Sequence, residues 1–234
     1  MSDLGKMTEE SPAPSPTRHA HPLVIGIAGP CGAGKTTLAA AFEKLSDVGV
    51  VGEPIFPDLS ETLSIPRSDT GALLQDRILR GRAEAAASVK DAIIVLDRSV
   101  AEDREVFFPL HRHLGSLSEH DEQRLSGVAE AMELAIGVPV AMVILTASID
   151  TLQRRARDDG RPEWLVESLP LQLELYHRWL RAIEVPFVIV NTDHIGSEAF
   201  PAVAEWIVAS ALQAIAAGDA ILPELGLKWE RPSV

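Results

Sequence analysis

The sequence predicts an α/β fold: a five-stranded parallel sheet flanked by helices. Three observations carry this. Five short apolar runs, at 23–28, 48–53, 92–96, 138–145 and 186–190, are separated by longer amphipathic stretches. The runs are largely continuous in apolar residues, as strands covered on both faces are. The first run leads straight into a glycine-rich turn and then a helical pattern, the strand–loop–helix order of a parallel sheet.

Taken in order, residues 1–21 hold Ser11, Pro12, Pro14, Ser15 and Pro16 and are expected to form a flexible tail. They lack the apolar segment of a secretory signal. Leu23-Val-Ile-Gly-Ile-Ala28 is the first strand, 35–45 the first helix and 48–53 the second strand. A helix with alanines packed along it is predicted over 70–89, and a third strand over 92–96, ended by Asp97. Helices follow at 99–114 and 118–136, the latter opening with Ser118 and Asp121 in a cap-like pattern. The fourth strand spans 138–145. A helix at 149–157 starts behind the cap residue Ser148, and another is predicted over 165–183. The fifth strand is 186–190 and the closing helix 197–217. Residues 218–234, with Pro223, Gly226 and Pro232, are left as a second tail, so one domain is expected over 22–217.

The length of 234 residues suits that one domain. Hydrophobic residues at 46% and charged residues at 24% exclude a disordered or fibrous chain. Twenty-one basic against 34 acidic residues, a net charge of −13, argue against a nucleic-acid polymer as partner, while leaving room for a small basic pocket. The longest apolar run, near 139–146, is too short to span a bilayer. A single cysteine, Cys31, allows no intramolecular disulfide and points to a reducing, cytoplasmic setting.

Gly29-Pro30-Cys31-Gly32-Ala33-Gly34-Lys35-Thr36, followed by Thr37, fits the pattern G-x-x-x-x-G-K-[ST] between a strand and a helix. The glycines let successive N–H groups turn inward around an anion, and the following helix aims its positive end at the same point. Lys35 is expected at the β and γ phosphates and the Thr36 hydroxyl on Mg²⁺. The loop predicts that a nucleoside triphosphate or similar phosphate binds, and by itself does not separate a switch protein, a motor and a small-molecule kinase. Cys31 inside the loop reads as a small filler.

Ligands of open α/β sheets bind beyond the carboxyl ends of the strands. Glu53 ends the second run there, and Asp97-Arg98 ends the third. A carboxylate at Glu53 suits proton acceptance or metal binding, Asp97 suits the metal side, and Arg98 sets a fixed cation beside the transferring group. Asp103 lies about one turn into the next helix. Arg154, Arg155, Arg157 and Arg161 fall within eight positions of an acidic chain, with Gly160 as a hinge. They are expected to form an arginine-rich lid, about 154–164, that closes over phosphates and excludes water.

In this order the residues resemble the deoxynucleoside kinases, P-loop enzymes that phosphorylate the 5′-hydroxyl of deoxynucleosides. The resemblance rests on the phosphate loop, Glu53-Pro54, the run D-R-S-x-x-E-D from Asp97 to Asp103, and the arginine segment ending Gly160-Arg161. The run is similar to that of the bacterial deoxyadenosine/deoxyguanosine kinase branch. It implies Glu53 as the base that takes the hydroxyl proton, Asp97 near the metal, and Arg98 near the 5′-oxygen and phosphates. Gln75 and Arg82 match the base-contacting pair, with Asp103 beside that arginine. Arg155 and Arg161 match lid arginines, Arg157 lies between them, and Glu163 or Glu167 matches the acid on the sugar 3′-hydroxyl. Three positions depart from the pattern. No tyrosine precedes Gln75, Phe56 stands nearest to where a tryptophan is expected, and Ala101 replaces a tyrosine. These concern the sugar pocket, not the phosphoryl-transfer centre.

The leading expectation is an ATP- and Mg²⁺-dependent kinase of a nucleoside or similar small acceptor. A thymidylate-type nucleoside monophosphate kinase is the alternative, and needs cations for an acceptor phosphate. Another small-molecule P-loop kinase is a further one. A guanine-nucleotide switch would carry N-K-x-D, and Asn191-Thr192-Asp193 lacks the lysine and the spacing. His111 and His113, two residues apart, do not share a helix face for a metal. Leu125, Val128, Ala129 and Met132 form an apolar stripe, in a region where helices of the resembled family pair two subunits. A homodimer is expected on that ground.

Overall fold

The computed structural model describes residues 22–54 and 68–217. Five parallel strands, β1 (Leu23–Ala28), β2 (Val48–Val51), β3 (Ile93–Asp97), β4 (Ala141–Thr146) and β5 (Phe187–Asn191), lie in the order β2-β3-β1-β4-β5. Each strand is continued by helix: α1 (Lys35–Phe42) after β1, α2 (Ser68–Ser88) after β2, α3 (Val100–Glu102), α4 (Phe108–His113) and α5 (Glu119–Ile136) after β3, α6 (Ile149–Asp158), α7 (Glu163–Glu167) and α8 (Leu169–Leu180) after β4, and α9 (Phe200–Ala217) after β5. The two expected tails, 1–21 and 218–234, and Phe56 lie outside the described residues.

The strand residues alternate cleanly between two cores, which is why the runs are apolar throughout. Ile25, Ile27, Val95, Val143, Leu145 and Val190 pack with Leu38 and Phe42 of α1, Leu152 of α6 and Ile207 of α9. On the other face, Val24, Ile94 and Leu96 pack with Leu79 of α2 and Leu125 and Ala129 of α5. Ala28, Met142 and Ile144 meet Phe107, Leu110, Tyr176 and Trp179. The stripe expected to pair two subunits is therefore used inside this one: Leu125 and Ala129 are fully buried and Val128 packs against the same core.

Three segments differ from the expected elements, each for a local reason. The helix predicted over 99–114 is divided. Between α3 and α4 the backbone widens into a π-helical stretch, Asp103–Phe107, and Pro109 sits in the first turn of α4. A proline has no N–H to give and its ring crowds the carbonyl four residues back, so the regular ladder cannot run through it. The helix predicted over 165–183 is likewise split at Ser168 ahead of Pro170. β2 ends at Val51, which leaves Glu53 beyond the strand, and β4 starts at Ala141, past Pro139.

Candidate active site

The phosphate loop leaves β1 at Gly29, with φ of 150°. A Cβ there would stand 2.5 Å from the Leu145 carbonyl oxygen, so only glycine fits where the loop turns across β4. The loop ends at Gly34, which leads into α1 in the left-handed region. Lys35 Nζ donates to the carbonyl oxygens of Gly29 (2.5 Å) and Pro30 (3.1 Å). Burial lowers its pKa, and the carboxylates of Glu102 and Asp97 act against that. Thr36 Oγ1 donates to Asp97 Oδ2 at 3.0 Å, so the end of β3 and the start of α1 meet at one point.

Beside this point lies Arg98. Its backbone N–H still bonds Ile27 O of β1 at 3.1 Å, while φ of 76° turns the side chain away from the sheet line. A non-glycine residue in that region costs on the order of 1–2 kcal/mol, which the surroundings must over-determine. They do. Arg98 Nη1 lies 2.9 Å from Glu53 Oε1, and the guanidinium stacks 3.8 Å from the centre of the Phe107 ring, which the π-helical stretch presents. Burial pushes the Glu53 carboxyl up, but Arg98, Arg82, Lys35 and Arg161 together hold it below the ordinary value of 4.5.

A cleft of about 640 Å³ is lined by Cys31, Gly32, Gly34, Lys35, Thr36, Thr37, Glu53, Asp97, Arg98, Arg155 and Arg161. Residues from the phosphate loop, the start of α1, the ends of β2 and β3, and α6 with the turn after it thus meet in one place. Pro30 and Ala33 complete the loop. Gln75, Arg82 and Asp103 are all buried: Arg82 Nη1 pairs with Asp103 Oδ2, and Gln75 lies two turns from Arg82 on α2. Arg82 Nε and Nη2 and Asp103 Oδ1 have no hydrogen-bond partner among the described residues.

The lid is built differently from its reading as a row of phosphate-facing arginines. Only Arg155 and Arg161 line the cleft. Arg155 is already engaged, donating to Thr192 O at 2.7 Å, Thr192 Oγ1 at 2.9 Å and Gly32 O at 3.4 Å. Arg157 donates to Glu163 Oε1 at 3.0 Å, and both side chains are about half exposed (52% and 57%). Glu167 is exposed on α7, and neither acid lines the cleft. Gly160 serves as a helix stop. Its φ is 68°, its N–H bonds Arg157 O, and Arg161 N–H bonds Ala156 O, which is a Schellman cap.

Sequence reasoning missed four residues that fix the loop. Gly29 N–H donates to Glu102 Oε1 (2.8 Å) and to the Tyr176 hydroxyl (3.2 Å), and that hydroxyl donates to the same Glu102 oxygen. Cys31 N–H donates to Gln172 Oε1 at 3.1 Å, and Thr192 Oγ1 donates to Ala33 O at 3.1 Å. One signal was available: Gln172 and Tyr176 stand four apart, on one face of α8. A fifth residue, His111, shares Nδ1 with Ser116 Oγ at 2.8 Å and faces the Trp164 ring, centre to centre 6.1 Å.

Burial and the Arg98 charge push His111 down to about 4 from its ordinary 6.5. The unfolded chain therefore binds a proton in a pH range where the folded one does not. Stability is expected to fall as pH drops from 6.5 to 4, by up to about 3 kcal/mol from this residue. Melting temperatures at pH 7 and pH 4.5 measure it. The drop should be smaller in His111→Gln, and an equal drop would remove His111 as the cause.

The Thr36 hydroxyl and Asp97 carboxylate are hard oxygen donors held together, the kind Mg²⁺ takes. No single curated protein matches the chain. A family model described as deoxynucleoside kinase matches residues 25–211, which hold β2 to β5, most of β1 and the whole cleft. The chain belongs to the deoxynucleoside kinase family, and so to the ATP-dependent phosphotransferases that act on nucleosides.

Proposed function

We propose that this protein transfers the γ-phosphate of ATP to the 5′-hydroxyl of a deoxynucleoside. The observation that carries the proposal is the Glu53–Arg98 pair, set at 2.9 Å in the same cleft as Lys35 and the Thr36–Asp97 contact. A carboxylate, a fixed cation and a phosphate loop in one cleft are what in-line transfer to a hydroxyl needs. The hydroxyl oxygen bonds to the γ-phosphorus, the bond to the bridging oxygen breaks, ADP leaves, and Glu53 accepts the hydroxyl proton. Lys35, Arg98 and Arg161 face the developing charge. Thr36 and Asp97 would hold Mg²⁺, which would supply neutralisation of the phosphate charge.

Gln75, Arg82 and Asp103 are assigned to the acceptor base. Asp103 beside Arg82 makes a poor seat for an acceptor phosphate and a good one for a neutral base. This favours a nucleoside over a nucleoside monophosphate. Arg157 and Glu163, paired at the surface, and Glu167 reach a bound ligand only if the lid moves. The proposal extends to the purine branch, to nucleotide salvage in the cytoplasm, and to a homodimer, whose test is sedimentation.

The experiment is a steady-state screen with ATP·Mg²⁺ against the four deoxynucleosides, their monophosphates and several ribonucleosides. Phosphorylation of a deoxynucleoside, strongest for a purine and abolished by EDTA, is expected. Turnover of monophosphates alone would overturn the proposal in favour of the thymidylate-type reading.

A further inference from the structure

Glu102 is a fully buried carboxylate that the proposed mechanism does not use. It lies between the two halves of the phosphoryl-transfer centre. Oε1 accepts from the Gly29 N–H at the root of the phosphate loop and from the Tyr176 hydroxyl. Oε2 stands 3.9 Å from Arg98 Nε, and neither atom has a hydrogen-bond partner among the described residues. A charge is costly to bury, so a carboxylate in an apolar core between loop and arginine needs both contacts to persist. Tyr176 closes the arrangement, because its hydroxyl accepts from Gly29 N–H and donates to Glu102.

We propose that Glu102 is a positioning residue. One oxygen fixes where the phosphate loop leaves β1. The other is the fixed counter-charge of Arg98 from below, while Glu53 holds the guanidinium from the side. Arg98 is thereby held in its left-handed backbone turn with its charge toward the cleft, even when the acceptor hydroxyl engages Glu53. The inference rests on the phosphoryl-transfer reading of the cleft, and its test separates the two.

Three variants, Glu102→Ala, Glu102→Gln and Tyr176→Phe, are measured by calorimetric titration with ATP·Mg²⁺, by steady-state kinetics and by thermal melting. Glutamine keeps an oxygen for Gly29 and loses the negative charge. Glu102→Ala is expected to weaken ATP·Mg²⁺ by about tenfold, Glu102→Gln to restore the affinity to within about threefold, and Tyr176→Phe to lie between. In Glu102→Gln, kcat should stay about 30-fold low with the acceptor KM nearly unchanged, since the charge facing Arg98 is gone. If Glu102→Ala does not fold, the near-isosteric Glu102→Gln and Tyr176→Phe carry the test. Melting temperatures that fall while Kd and kcat stay within about threefold of the parent protein would overturn the inference and leave Glu102 a core group. Nucleotide titration needs no acceptor. If the parent protein phosphorylates no nucleoside, the proposed function fails, and the Glu102→Ala and Tyr176→Phe affinities still decide whether Glu102 sets the loop.

Discussion

Lys35→Met is expected to lower kcat/KM by about 10³-fold, with a smaller loss, about tenfold, in affinity for ATP. Methionine keeps the length of the side chain and removes its charge. In the structure Lys35 Nζ rests on the carbonyl oxygens of Gly29 and Pro30. Those contacts are neutral and local, so the ammonium is free to exchange them for phosphate oxygens, where an anion offers more. Transition-state charge grows on those oxygens, and the loss should fall mainly on turnover. Lys35→Arg should rescue little. A planar guanidinium does not fill the place of a compact ammonium seated between two carbonyls. Kinetics and nucleotide titration of the two variants provide the check. Residual activity of Lys35→Met within tenfold of the parent would remove Lys35 from the phosphate contacts.

Glu53→Gln should cost about 10² to 10⁴ in kcat, the range for removing a general base. Glutamine preserves shape and can still accept from Arg98, so acceptor KM should change far less. The pH profile adds a sharper test. Burial favours the neutral carboxyl, yet Arg98, Arg82, Lys35 and Arg161 win, and the group titrates below 4.5. Its active form is the ionised one. Activity is therefore expected to be flat with pH between about 5 and 7 and to fall only below 4.5, about tenfold per pH unit. A limb between 5 and 7, or one that persists unchanged in Glu53→Gln, would assign the proton transfer to another group.

The sheet was legible because strands buried on both faces are apolar along their length, and 23–28, 92–96 and 141–145 are. Glu53, Asp97 and Arg98 were legible for the complementary reason: each is charged at or just beyond the end of such a run, where a strand meets solvent or ligand. The span 99–114 is helical as read, but the pattern did not reveal the π-helical stretch ahead of Pro109, because pattern alone does not register a missing N–H. Arg155 was read as a lid arginine from its neighbours in sequence. Its partners, Thr192 and Gly32, lie 37 and 123 positions away, beyond any periodicity. The same distance hid Tyr176 and the role of Glu102, which stood in the D-R-S-x-x-E-D run without its contact to the loop being visible.

That separation bears on synthesis. The phosphate motif is complete by residue 36, but its fasteners arrive late: Glu102 is 73 residues downstream of Gly29, Tyr176 is 147, Gln172 is 141 beyond Cys31, and Thr192 is 159 beyond Ala33. Contacts of such long reach form slowly and only after most of the chain exists. A nascent chain paused before α8 would carry every glycine of the loop but neither Gln172 nor Tyr176, and one paused before β5 would still lack Thr192. The phosphate loop is thus expected to gain its full support only once the chain through β5 has been made.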